Sequence, residues 1–383
     1  MNSNSQLMNH ARPRILLFSE RNLYEREVWR CPFWEFEQIL QEIDSVDVLA
    51  PKRASSYEQR LRVSLKLGNY LKAPLVSPGI APIHLDKDYD VFFTIIEKPG
   101  EALNIQAIKE LKQHCKKLVC WVTEFYVWNM KTHRSSLEML KEFDEVIFMA
   151  SLYEPFKNVL PGRVQYLAAG VDALRFCPYP NPPERCIDVL SIGRRSEKTH
   201  EALLKLARDQ GIFYMYDTID DLHAYNLNEH RALVQNMAKR SRYFIVNPGK
   251  VDRPEETGGQ SEFGYRYFEA AAPGTIMIGE RPKNKEFDKI FTWEDAVINV
   301  PFGSENIGEV MKELDRQPER QARIRRENML QALMNHDWGY RWESLLQTVG
   351  LEPLPALLER KQRLASLAAT VQESQVEAHS SAR

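Results

Sequence analysis

Cysteine is scarce in this 383-residue chain: there are five, at positions 31, 115, 120, 177 and 186, with no Cys-x-x-Cys pair. An odd count without paired spacing argues against a disulfide framework or a zinc site and points to a reducing compartment. Net charge is also small, −2 from 51 basic and 53 acidic residues, so no field across the whole protein recruits nucleic acid or an anionic membrane. The basic clusters (Lys116-Lys117, Arg194-Arg195, Arg323 to Arg326) are short. No apolar run approaches the roughly 20 residues of a membrane span, and the first ten residues lack an apolar segment of the signal-peptide kind. No short repeat is visible. A cytoplasmic protein without a transmembrane segment is the expectation.

What is present is a globular composition. With 43% apolar and 27% charged residues the chain can bury a core, and its length favours two domains. Apolar runs of strand length alternate with helical patterns. Strands are expected at 14–19, 46–50, 90–96, 118–122, 145–150 and 164–168, with helices at 28–43, 56–69, 101–113, 135–142 and 152–158 between them. Gly170 to Cys186 then carries four prolines and little apolar content, the composition of an interdomain linker. A second alternation follows, with strands at 187–193, 212–216, 243–247, 275–279 and 296–301. The expected fold is therefore α/β: two doubly wound, Rossmann-like domains facing a cleft. The boundaries are 1–170 for the first domain, 171–186 for the linker, 187–335 for the second domain, 336–354 for a further helix and 355–383 for a tail. That tail is helical in pattern and expected to lose order over its last dozen residues. Ligands of such sheets sit at the carboxyl ends of the strands, so the loops there are where chemistry is sought.

Three stretches stand out. Ser261 to Gly274 opens with a polar loop through Glu262 and Phe263 to Gly264, runs helical with Arg266 and Glu269 one turn apart, and stops at Pro273-Gly274. A glycine before a helix lets backbone amides approach an anion, and a carboxylate further along can accept hydrogen bonds from sugar hydroxyls. The bland reading of Glu269 is an i,i+3 pair with Arg266, worth a few tenths of a kcal/mol. After the strand at 187–193, Arg194, Arg195 and Lys198 place three cations where a diphosphate could be gripped, although a solvated helix start would look the same. The long loop between Asn247 and Phe263, with Gly258-Gly259, is of a length that is usually functional or disordered.

In the first domain, Glu97-Lys-Pro-Gly100 and Thr123-Glu-Phe-Tyr126 follow strands and face the same cleft. Trp121, Phe125, Tyr126 and Trp128 are candidates for a sugar-stacking platform, though such aromatics more often pack in cores. His133 is a weaker candidate. Asp86, Asp88 and Asp90 form two overlapping Asp-x-Asp patterns, but they precede their strand and read as a turn, so no metal site is expected.

Taken in order, these pieces resemble a GT-B glycosyltransferase of the family 4 kind, within the group-1 glycosyl transferase superfamily. The C-terminal half is similar to the superfamily's spore-coat-maturation type. The matching segments are Ala169-Gly-Val-Asp-Ala-Leu-Arg-Phe-Cys-Pro178, Ser191-Ile-Gly-Arg-Arg-Ser-Glu-Lys198, Glu262 to Gly274, and His336-Asp-Trp-Gly-Tyr-Arg-Trp342. Together they cover roughly half the chain.

The resemblance implies that Glu269 binds the donor ribose. It also implies that Arg194 or Arg195, with Lys198, contacts the diphosphate beside the amides of Gly264, and that residues 336–354 form a cross-over helix returning to the first domain. Glu124 stands where the family presents a polar acceptor-site residue, usually His. Three departures accompany the match. Ser261 occupies the place of the family's first carboxylate, with Glu262 one residue late. The Arg194-to-Lys198 spacing is one residue short. Ser19-Glu-Arg-Asn22 replaces a glycine-rich loop.

The expected activity is transfer of a sugar from a nucleotide-diphosphate-sugar donor to a saccharide, lipid or protein acceptor, retaining and metal-independent by family resemblance, with no cofactor. Peripheral membrane contact stays open and nucleic acid is not expected as a partner. The alternatives are a catalytically inactive GT-B-like nucleotide-sugar-binding or interaction protein, motivated by Ser261, and a nucleotide-sugar epimerase on the same fold.

Overall fold

The computed structural model describes residues 13–24, 27–74, 79–218 and 226–380, with the side chains of 375–380 outside the description. Six parallel strands build the first sheet: β1 (Ile15–Phe18), β2 (Val46–Leu49), β3 (Tyr89–Ile96), β4 (Cys115–Val122), β5 (Glu145–Phe148) and β6 (Arg163–Tyr166), in the order β2-β1-β3-β4-β5-β6. Five parallel strands build the second: β7 (Ile187–Ser191), β8 (Tyr214–Tyr216), β9 (Ser241–Val246), β10 (Ile276–Gly279) and β11 (Ile298–Asn299), in the order β11-β10-β9-β7-β8. Each expected strand is found. β1 shows why: all four of its residues are buried, and Ile15 pairs in register with Val46 on one side and Val91 on the other. Near-continuous apolar runs are what a parallel sheet covered on both faces requires.

Strand order reverses between β1 and β3 in the first sheet and between β7 and β9 in the second, and crevices for ligands form at such switch points. Two expected helices are tighter than an α-helix. Pro99–Ala107 and Glu154–Asn158 are 3₁₀ segments, each with a proline at its start.

Six helices matter for the site: α1 (Cys31–Ile43), α2 (Glu197–Gln210), α3 (Leu227–Lys239), α4 (Arg266–Ala271), α5 (Trp338–Val349) and α6 (Pro355–Ser380). α5 leaves the second domain and lies on α1. Trp338 stacks on Phe36 with ring centroids 4.9 Å apart, Trp342 meets Phe93 at 5.5 Å, and the Trp342 indole donates to Asp44 at 2.7 Å. Buried Asp337 caps α5 through the Gly339 amide and also accepts from Ala173 N–H and from Arg360 of α6. α6 stays helical to Ser380, well into the stretch expected to lose order.

One apolar core runs from the first sheet (Ile15, Phe93, Trp121) through α1 and α5 into the second domain (Phe244, Phe263, Phe268). Trp121 is therefore no sugar platform: it is 0% exposed and meets Phe33, Phe36 and Trp338 edge to face. Phe125 is equally buried, against Phe156 and His133.

Candidate active site

The carboxyl ends of both sheets face one cleft, and side chains from the two domains meet across it. Glu269, on the buried side of α4, is 1% exposed. Its carboxylate accepts from Arg266 at 2.7 Å and from Arg231 of α3, and Arg231 also holds Glu35 of α1 at 2.8 Å. The chain Arg266–Glu269–Arg231–Glu35 thus ties α4 to the first domain. Burial opposes the charge on Glu269, but Arg266 and Arg231 outweigh it and hold its pKa below the ordinary carboxylate range. The i,i+3 pair read from the sequence is present, with a second guanidinium added.

Neither Arg231 nor Glu35 was singled out from the sequence, though a signal was there. Arg231 shares a helical face with Val234 and Ala238, and Glu35 sits among Phe33, Trp34, Phe36 and Ile39, so both are charges on apolar stripes. A buried charge survives only when paired.

The loop after β7 carries the three expected cations. Gly193 is in the left-handed region (φ 86°), and a Cβ added there would lie 3.7 Å from Nη2 of Arg266, so this loop and α4 are neighbours. Arg194 pairs with Asp252 at 2.9 Å. Arg195 lies over the Tyr216 ring at 5.2 Å and pairs with Asp217 at 2.8 Å. The other oxygen of Asp217 accepts the Gly193 amide at 2.8 Å. Asp217 therefore makes with this loop the contacts an anion would make: one backbone N–H and one guanidinium. Lys198, in the first turn of α2, is exposed and has no ion-pair partner among the described residues.

Around Gly264 the side chains are already engaged. Phe263 points into the core against Phe287 at 5.1 Å, leaving only its backbone for a ligand. Ser261 Oγ accepts from the Lys283 amide at 3.2 Å. Buried Glu262 accepts from the Ser151 amide at 3.0 Å, the Ser151 hydroxyl at 2.9 Å, Gln260 at 3.0 Å and Asn284 at 3.1 Å, clasping the loop after β5. Burial raises its pKa against those hydrogen bonds. Space opens at Gly264 itself, where an added Cβ would touch nothing within 4 Å.

Glu124, after β4, pairs with Lys250 of the long loop at 2.8 Å, and Lys250 also reaches Glu256 at 3.2 Å and the Tyr126 ring at 5.6 Å. The exposed Trp128 donates its indole N–H to the Glu256 carbonyl at 3.1 Å, and an added Cβ at Gly258 would lie 2.7 Å from the Trp128 ring. The Asn247–Phe263 loop thus closes onto the first domain, and Lys250 is its unforeseen anchor. His133 is tied to the Asn129 carbonyl at 3.3 Å and has its pKa lowered by burial. Asp86 and Asp88 lie before β3 and Asp90 is its second residue, at the end of the strand away from the cleft, with Asp90 paired to Lys116 at 2.7 Å. Among the described residues no three His, Cys, Asp or Glu side chains are grouped to hold a metal ion. No helix among them is long and apolar enough to cross a membrane.

Residues 226–347, which carry α3, α4 and the start of α5, match the family described as "Glycosyl transferase-like". The two-sheet architecture is the GT-B fold. An alpha-glucosyltransferase solved in complex with UDP and a 13-mer DNA containing a central A:G mismatch superimposes with a TM-score of 0.51 at 14% identity, over 88% of this chain and 99% of that one. The GtfA/B complex aligns at 15% identity with a TM-score of 0.42, over 69% of this chain and 58% of that one. A point mutant of TarM from S. aureus, in complex with Fondaparinux, alpha-GlcNAc-glycerol and UDP, aligns at 10% identity with a TM-score of 0.44, over 76% of this chain and 58% of that one. The chain thus spans under two thirds of the GtfA/B and TarM chains. No curated protein matches it in sequence. The protein is thus a two-domain α/β chain of GT-B fold with a glycosyl transferase-like segment at 226–347.

Proposed function

We propose that this protein transfers a glycosyl group from a nucleotide-diphosphate sugar to a hydroxyl-bearing acceptor in the cleft. The observation that carries this is the placement of Arg194, Arg195 and Lys198 after β7, beside Arg266 of α4, which lies in the glycosyl transferase-like segment 226–347. The sugar C1–O bond to the diphosphate breaks, a C1–O bond to the acceptor forms, and the acceptor proton leaves with the diphosphate. Negative charge grows on the diphosphate as the bond breaks, and preorganised cations there lower the barrier. Lys198 supplies a point charge, Arg195 a fork once Asp217 is displaced, and the amides at Gly264 further donors. Retention of configuration and independence from metal belong to this reading through the family resemblance.

Glu269 takes a changed role here. With both oxygens held by Arg231 and Arg266, it is a positioning residue for Arg266 more readily than a partner of ribose. That occupancy, with Ser261 in place of a carboxylate, is the specific observation behind the second reading, a nucleotide-sugar-binding protein without turnover. The test is nucleotide release from UDP-, GDP- and ADP-sugars with a broad acceptor panel. Release abolished in folded Lys198→Ala supports transfer. Donor binding without release across the panel supports the second reading. Sugar product formed without any acceptor would point to an epimerase.

A further inference from the structure

At the switch point of the first sheet, where β1 and β3 end side by side, four carboxylates surround one guanidinium. Arg30 stands 2.5 Å from Glu101, 2.6 Å from Glu27, 3.1 Å from Glu97 and 3.6 Å from Glu20. The carboxylates are not equivalent. Glu101 also accepts the backbone amides of Glu97 at 2.8 Å and Lys98 at 3.0 Å, and Glu20 accepts from Asn104 at 2.6 Å.

Glu97 alone of the three buried ones lies at the end of β3 beside the cleft-facing Glu124, whose amide donates to the Glu97 carbonyl at 2.9 Å. The Glu97 side chain is 8% exposed, and beyond its ion pair with Arg30 its buried Oε2 accepts no hydrogen bond among the described residues. Buried polar atoms are normally satisfied, so such an oxygen at a ligand crevice is one that a bound hydroxyl or amine completes. Burial, eased by Arg30 and reinforced by Glu101 and Glu124, pushes the Glu97 carboxyl up to about 8. Lys98 of its own domain and Tyr265 of the second domain are the other titratable groups that act on it.

We propose that Glu97 holds the acceptor, by hydrogen bonding one of its non-reacting hydroxyl or amino groups. The inference rests on the transferase reading above and adds the acceptor side of the same cleft. Glu97 is a positioning residue: the acceptor proton still leaves with the diphosphate.

The experiment uses the full chain and whichever of UDP-, GDP- or ADP-glucose binds. Methyl glucoside, glucosamine and glucose 6-phosphate serve as acceptor probes, with nucleotide release as the readout. Expected is an acceptor KM raised about tenfold or more in Glu97→Ala while donor KM stays within about threefold. Glu97→Gln, which keeps a donor and an acceptor, restores acceptor KM to within about threefold of wild type. No turnover of any acceptor probe, or an unchanged acceptor KM in a folded Glu97→Ala variant, overturns the inference while leaving donor binding intact. Failure of every nucleotide sugar to bind overturns the transferase reading itself.

Discussion

Arg231 of the second domain grips Glu35 of the first at 2.8 Å, and both side chains are almost wholly buried. Two carboxylates, Glu35 and Glu269, share this guanidinium from opposite sides of the domain boundary. Removing one partner of a buried pair strands the other without water. Arg231→Ala is therefore expected to lower stability by about 3–5 kcal/mol, with Glu35→Gln costing less because the amide still accepts. Urea denaturation of each variant checks this. A loss in Arg231→Ala no greater than that of an exposed ion pair would refute the coupling.

Asp217 occupies the Gly193 amide and Arg195 together, the two contacts a diphosphate would use. Asp217→Ala frees both and removes a competing negative charge. Binding of nucleoside diphosphate is expected to tighten by roughly three- to tenfold, since one charge-assisted contact no longer has to be broken. Weaker binding in that variant would show Asp217 to be a ligand-holding residue instead.

The acidic cluster makes a stability prediction with a definite sign. Burial raises the pKa of Glu97 to about 8, whereas an unfolded Glu titrates near 4.3. Between those values the folded chain binds more protons than the unfolded one, so stability falls as pH rises from about 4.3 to 8. Glu20, raised by burial and then by Glu101, acts in the same direction. Glu97→Gln removes its share of that loss, and its melting temperature relative to wild type should rise between pH 5 and pH 8. Melting curves across that range settle the point: parallel profiles would exclude an elevated Glu97.

Much of the fold was legible because parallel strands buried on both faces must be apolar runs, and runs such as Ile15–Phe18 and Ile276–Gly279 leave little choice. The position of the loop at Gly193 was legible for a similar reason, since it and the cations after it follow an apolar strand. What stayed hidden is what only the facing domain reveals. The sequence shows Glu269 near Arg266, but Arg231 comes from a helix 38 residues away and Glu35 from one in the other domain. Lys250 could not be told from any surface lysine until β4 placed Glu124 opposite it. Trp121 and Trp128, both read as stacking candidates, separate only by burial: the first is core, the second 44% exposed at the loop closure.

That closure is itself testable. Trp128 holds the Asn247–Phe263 loop through one hydrogen bond and its contact with Gly258. Trp128→Ala should leave global stability nearly unchanged while local opening around Glu255 and Glu256 increases roughly threefold or more, because the exposed stretch from Asp252 to Glu255 has no buried side chain of its own to hold it. Cleavage by a glutamate-specific protease at Glu255 or Glu256 reports the opening, and an unchanged cleavage rate would show that Lys250 suffices to hold the loop.

The central claim is that the loop after β7 binds a nucleotide diphosphate for glycosyl transfer. Calorimetric titration of UDP, GDP and ADP into wild type and into an Arg195→Ala, Lys198→Ala double variant tests it most directly. At least one nucleotide should bind wild type, with affinity at least about tenfold lower in the folded double variant and falling with added salt. Binding of none of the three to wild type, or equal affinity in both proteins, would contradict it.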